Sequence, residues 1–305
     1  MVSIILSTYN RAHLIGGTLQ SISNQSYRDF ECVIIDDGST DNSFEVIKSF
    51  LKDSRFRYYL RTSKYKKGLP GCRNYGLDIC SGDFVIFFDD DDIVHPENLR
   101  VSLNAILKEK SKFCLFGREV FFGEFIAEFH SLDNLSTTKL IGQEILYEMV
   151  TGIIPFNSCA VLWDFSCFNN LRFNEDLLYA EEWECYQRIL SNKTNGVKID
   201  QVLYYARKHP ESNTGEFYSG NSIRLKSYIE ACILIVNNLN TKKIFSSNLV
   251  KYFTWVAYIQ NSNDLYNSII ASDIPKWQKV KSTLLYKCGD LIKGYLLFKK
   301  RINFR

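Results

Sequence analysis

The first 110 residues alternate apolar runs with amphipathic stretches, and this alternation constrains the fold more than any single motif. Residues 2–7 (VSIILS) read as a buried strand, 12–25 carry apolar residues at helical spacing, and 30–36 (FECVIID) form a second strand. Residues 41–53 read as a helix with Asp41 or Ser43 as N-cap, 55–60 as a third strand, 71–80 as a helix and 83–88 as a fourth strand. Residues 96–109 form a helix with proline near its first position. Strict alternation predicts an α/β fold with a mainly parallel sheet flanked by helices. Ligands of such sheets gather beyond the carboxyl ends of the strands. The expected strands deliver three polar clusters to that edge: Ser7 to Asn10, Asp36 to Ser39, and Asp89 to Asp92. Residues 113–210 are less regular. They read as strand material at 113–129, a short strand at 158–163, an amphipathic helix at 181–191 and a strand at 201–209. From about residue 220 the pattern is helical.

Composition narrows the function classes. A net charge of +3 leaves no broad basic footprint for nucleic acid. No apolar run approaches the roughly 20 residues that span a bilayer, and the start shows no leader-peptide pattern. The nine cysteines are an odd number without a C-x-x-C pair. Free thiols in a reducing cytosol are expected, and a structural zinc site is not.

The run FVIFFDDDDIVHPE (84–97) carries the sharpest chemistry. Side chains alternate along a strand, so Asp89 and Asp91 share a direction while Asp90 and Asp92 point away or enter the turn. Carboxylates aimed together in a cleft are unfavourable unless a cation joins them or one binds a proton. Hard oxygen ligands suit Mg²⁺ or Mn²⁺. The bland reading is a solvated turn or an acid-rich helix start, which accounts for Asp92 but not for the whole row. IIDDGSTDNS (34–43) is either an ordinary capped turn or a backbone that a ligand approaches closely. In STYNR (7–11), Tyr9 either stacks on a base or closes the sheet edge. KKGLPGCRN (66–74) offers Arg73 for planar or phosphate recognition, against a salt-bridged surface arginine. In YAEEWECYQRIL (179–190), one glutamate is a helix cap, and the other gains a raised pKa and acts as a base only if a cleft surrounds it.

Taken in order, residues 1–43, GLPGCRNYG and FDDDDIVHPENL strongly resemble the family 2 glycosyltransferases, densely over 1–110 and more thinly through EEWECYQRI to about 215. The resemblance implies a GT-A fold, Rossmann-like, with a catalytic domain over 1–215 and a helical C-terminal region over 216–305. Its nucleotide-sugar half is 1–110 and its acceptor half 111–215. It implies a metal-dependent, inverting, non-processive transfer of one sugar from a nucleotide sugar, with UDP the expected nucleotide. The implied acceptor is a glycan or lipid-linked glycan of surface polysaccharide synthesis.

By resemblance, Ser7, Tyr9 and Asp37 hold the nucleotide base and nearby atoms, and Arg73 faces the nucleotide. Asp89 and Asp91 form the D-x-D pair, with Asp91 on the metal, Asp89 on the ribose or a metal-bound water, and Asp90 sharing that work. Glu182 removes the acceptor proton, with Glu181 in reserve because the commonest pattern reads Glu-Asp here. His209 matches a further metal or phosphate contact. The processive Q-x-x-R-W pattern is absent. Two rivals remain at this point: a non-catalytic or degenerate nucleotide-sugar binder, and a phosphoryl-transfer enzyme, which lacks a phosphate-binding glycine loop. The C-terminal stretch sets Lys276, Lys279, Lys281, Lys287, Lys293, Lys299, Lys300, Arg301 and Arg305 against Asp290 alone. It reads equally as a peripheral contact with the inner face of the cell membrane or as a helical cap with a solvated basic face.

Overall fold

Parallel strands buried on both faces read as continuous apolar runs, and the three central strands of the N-terminal half do so. The computed structural model describes residues 1–126, 128–130, 132, 138–208 and 213–289. In chain order the elements are β1 (Val2–Thr8), α1 (Ile15–Ser23), β2 (Phe30–Asp36), α2 (Ser43–Lys48), β3 (Phe56–Leu60), α3 (Leu69–Ile79), β4 (Phe84–Asp89), β5 (Ile93–Val94), α4 (Asn98–Glu109) and β6 (Phe113–Phe121). They continue with β7 (Thr138–Ile141), α5 (Leu146–Val150), β8 (Val161–Asp164), α6 (Glu181–Ser191) and β9 (Gly196–Arg207). The remainder is helical: α7 (Asn213–Tyr218), α8 (Ser222–Thr241), α9 (Ser247–Ile259), α10 (Asn263–Ala271) and α11 (Lys276–Lys287).

One sheet runs in the order β3-β2-β1-β4-β8-β6-β9-β5, with β7 paired to β9. The first four strands are parallel. Beyond them the sheet is mixed: β8 runs antiparallel to both β4 and β6, while β6 and β9 are parallel. The α/β class holds, and the parallel half coincides with the strictly alternating half of the sequence. Ile4, Leu6, Ile34, Ile86 and Phe88 face α1 and α4 in the main core, which also takes Leu19, Leu99 and Leu103. Val33, Ile35 and Cys72 pack on the other side, under α3.

Several boundaries differ from the sequence reading. The first helix spans only Ile15–Ser23, and α4 starts at Asn98, so Pro96 lies in the preceding turn. No side chain caps α2; Asp41 instead accepts the Ser43 N–H at 2.9 Å in a turn. The strand expected at 158–163 is a 3₁₀ turn at Ser158–Ala160 followed by β8. The strand expected from 201 begins at Gly196.

The chain divides into two compact units, one over Met1–Leu225 and one from Lys226 onward. In the second unit α9 packs against both α10 and α11.

Candidate active site

The parallel register fixes which residues meet at the carboxyl edge of the sheet. Ser7 pairs with Asp89 across β1 and β4, and Thr8 with Asp36 across β1 and β2. Asp36 is consumed locally. Its Oδ1 accepts the N–H groups of Gly38 and Ser39 at 3.0 and 2.7 Å, and its Oδ2 accepts the Tyr58 hydroxyl at 2.8 Å. This shapes the turn and leaves Asp37 at the edge, buried, with an ion pair from Arg61 and the Gly68 N–H donating to Oδ2 at 2.9 Å. Ser7 Oγ is buried without a hydrogen-bond partner among the described residues. Tyr9 is 44% exposed, and the Lys67 ammonium stands 4.3 Å from its ring centroid.

The acidic run departs from simple strand alternation. β4 ends at Asp89, residues 90–91 turn, and Asp92 folds back beside Asp89. Ligand atoms of Asp89, Asp92 and Cys159 lie within 4.8 Å of one another. Asp92 is buried and accepts the Arg207 N–H at 2.7 Å, so it joins β4 to β9 rather than starting a helix. Burial raises its pKa to about 9, and the charges of Asp89 and Asp91 add to the effect. Asp90 lies 3.8 Å from Arg11 Nε; burial raises it to about 7. Asp89 is also raised, by burial, with Arg73 opposing and Asp91 reinforcing. The Arg207 side chain donates to the Asp91 carbonyl at 2.9 Å, which holds the turn.

Arg73 ties this edge to α6. Its guanidinium is buried between the rings of Phe87 and Phe173, 5.8 and 5.4 Å from their centroids. Nη1 donates to Glu181 at 2.9 Å, Nη2 donates to Ser158 Oγ at 3.0 Å, and Nη2 lies 3.5 Å from Asp89 Oδ1. The helix-cap reading of the glutamates therefore fails: α6 has no side-chain cap, and Glu181 is held by an arginine from α3. Glu182 makes no ion pair among the described residues. Burial raises it to about 8, with Glu181 reinforcing and Arg73 opposing. Ala180, just before α6, has φ 65°, a left-handed conformation that costs a non-glycine residue energy and turns the chain into the helix.

Ser7, Tyr9, Asp37, Arg73, Asp89, Asp90, Asp91 and Glu182 all line one cavity of about 690 Å³. The structure thus brings together every expected site residue that it describes; His209 lies outside the described residues. Arg73 spends its donors on protein groups at the cavity floor. Sequence reading missed Arg11, Arg61, Lys67, Arg118 and Arg207, of which all but Arg61 line the cavity. Arg11 stood in the quoted STYNR segment. Arg118 was legible only as a charged residue, beside Glu119, inside a mostly apolar strand.

The hard carboxylate oxygens gathered at this edge suit Mn²⁺ or Mg²⁺, and those of Asp89 and Asp92 lie within 4.8 Å of each other. Burial is the main cause that raises Asp89, Asp90 and Asp92, and the neighbouring acid charges add to it, so a bound cation would relieve both.

Residues 3–163, just over half the chain, match the family described as Glycosyl transferase family 2. A Campylobacter jejuni protein named GalNAc(5)-diNAcBac-PP-undecaprenol beta-1,3-glucosyltransferase is 27% identical over 285 residues, covering 89% of this chain and 87% of that one. Among solved structures, Staphylococcus aureus TarS 1-349 in complex with UDP-GlcNAc matches with a TM-score of 0.67 at 19% identity, over 92% of this chain and 79% of that one. The Pyrobaculum calidifontis mannosyltransferase PcManGT, in complex with GDP-Man and Mn²⁺, matches with a TM-score of 0.58 at 13% identity, over 98% and 82%. These structural likenesses establish a GT-A-like fold.

Proposed function

Because the chain belongs to glycosyl transferase family 2 and is a glycosyltransferase, we propose that it moves one hexose from a UDP-sugar to a hydroxyl of a lipid-linked or polymeric glycan in surface polysaccharide synthesis. The transfer inverts the anomeric carbon and depends on a divalent cation. The observation that carries this reading is that the Asp89–Asp92 edge and Glu182 open into the same cavity. The UDP-GlcNAc complex of TarS supports the nucleotide, and the name of the C. jejuni relative supports a glucosyl donor and a polyprenyl diphosphate acceptor.

In this reading Ser7, Tyr9 and Asp37 hold the uridine. Asp37, fixed by Arg61 and Gly68, presents an already oriented acceptor. Asp89 and Asp91 would hold Mn²⁺ or Mg²⁺, with Asp90 beside them. A divalent cation bound there would supply counter-charge for the leaving diphosphate. Arg73 positions Glu181 and Asp89 rather than touching the donor. Glu182 takes the acceptor proton while the hydroxyl oxygen bonds to the anomeric carbon and the sugar–phosphate bond breaks, its electron pair leaving with UDP. One base on the far face gives one displacement, hence inversion. The nine unpaired cysteines support a reducing, cytoplasmic setting, at the membrane face where a lipid-linked acceptor presents its sugar.

Calorimetry with a panel of UDP-sugars, UDP-glucose first, tests the donor. Binding is expected with Mn²⁺ and is lost on chelation or in Asp91→Ala. Equal binding with the ion removed would overturn the metal assignment.

A further inference from the structure

Helix α11 is built inside out. A surface helix normally turns its apolar stripe inward. Here the buried positions are Gln278 and Ser282, one helical turn apart. Gln278 donates to Ser247 Oγ at 2.6 Å, and Ser282 accepts from Thr254 Oγ1 at 3.0 Å. Alongside them, Thr283 hydrogen-bonds the Tyr266 hydroxyl at 2.9 Å and Tyr286 donates to Asn263 at 2.9 Å, with the Tyr266 and Tyr286 rings stacked. Rolling the helix would unpair all four contacts, so its rotation is fixed. Leu285 and Tyr286 are half-buried, but three apolar residues face out: Trp277 is 53% exposed, Val280 58% and Leu284 55%.

Their spacing of three and four residues puts them in one stripe. At about 100° per residue, Lys276 and Lys287 fall along one side of that stripe and Lys281 along the other. The Lys281 ammonium lies 4.8 Å from the Trp277 ring centroid. The helix KWQKVKSTLLYK contains no acidic residue, and the sequence after it adds Lys293, Lys299, Lys300, Arg301 and Arg305 against Asp290 alone.

We propose that this face of α11 is a docking surface for an anionic lipid bilayer. Trp277, Val280 and Leu284 enter the headgroup–acyl boundary, and the flanking lysines reach lipid phosphates. Charge selects this occupant over a second copy of the chain: a self-complementary contact would set lysine against lysine with no acid on the helix to answer it. The surface is distinct from the donor cavity, so it can fail without the transferase reading failing, and the reverse also holds.

Flotation of the whole protein with phosphatidylcholine vesicles, with and without phosphatidylglycerol, tests the proposal. Binding is expected only with the anionic lipid, and it weakens with salt. The triple variant Trp277→Ser/Val280→Ser/Leu284→Ser and the charge variant Lys276→Glu/Lys281→Glu/Lys287→Glu should each lose at least about tenfold in vesicle affinity. Both should keep UDP binding and the melting temperature. Should the apolar variant unfold, the charge variant alone carries the test. Three results would each overturn the proposal: no flotation of the wild type, flotation unchanged in the folded variants, or loss of a dimer by light scattering in the apolar variant with lipid binding intact.

Discussion

Two adjacent glutamates open α6 and meet different fates. Glu181 is locked to Arg73 at 2.9 Å, while Glu182 lines the cavity and is raised to about 8 by burial and its neighbour's charge. A carboxyl with a raised pKa is protonated, and so unable to take a proton, below that value. The proposed base therefore predicts that kcat/KM climbs as pH rises toward 8. Glu182→Gln should remove that limb and cut transfer by about 10²–10⁴-fold, with UDP-sugar affinity unchanged by calorimetry. Glu181→Gln tests a different thing. It keeps an acceptor for Arg73 but removes a buried counter-charge, leaving Asp89 at 3.5 Å as the remaining carboxylate, and should cost up to about 3 kcal/mol, to be read as a fall in melting temperature. The resemblance named Glu182 as base with Glu181 in reserve, but the residues alone did not show what occupies Glu181. That partner is an arginine from α3, distant in the chain, and no local pattern reveals such a pair.

At the scale of elements, the N-terminal half was legible because β1, β2 and β4 are buried on both faces and have no polar alternation to confuse with helix. In the mixed half the helix at 181–191 was legible, but the sheet was not: β8 has four residues, and its neighbours in the sheet come from distant segments. The fold-back of Asp92 was hidden for a related reason, since alternation stops being informative once β4 gives way to a turn. The loop before α3 supplies a prediction of its own. A Cβ on Gly71 would stand 2.0 Å from the Lys66 carbonyl oxygen, and that backbone cannot move without dragging Gly68, whose N–H holds Asp37. Gly71→Ala should cost about 1–3 kcal/mol of stability and raise KM for the donor more than it lowers kcat. Steady-state kinetics beside a thermal melt would separate the two.

Across the whole molecule, the raised carboxyls set a pH dependence. Burial raises Asp90, Glu182 and Asp92 to about 7, 8 and 9 in the folded chain, against about 4 when unfolded. Between those values the folded state holds more protons, so stability falls as pH rises. The carboxyls shifted the other way, among them Asp53 and Asp78, act only below their ordinary range. The ligand-free protein should therefore melt progressively lower from pH 5 to pH 8 by scanning calorimetry, and Mn²⁺ with UDP should restore most of the loss at pH 8. A flat profile would mean the acidic edge is already compensated. One quieter feature offers a built-in reporter. Cys159 sits beneath the carboxyls of Asp89 and Asp92, sealed from solvent, its thiol pushed well above the ordinary range by burial. An alkylating reagent should ignore it while the floor stays shut. Mass spectrometry of its labelling rate, with and without nucleotide, would time the breathing of the cavity without altering a single residue.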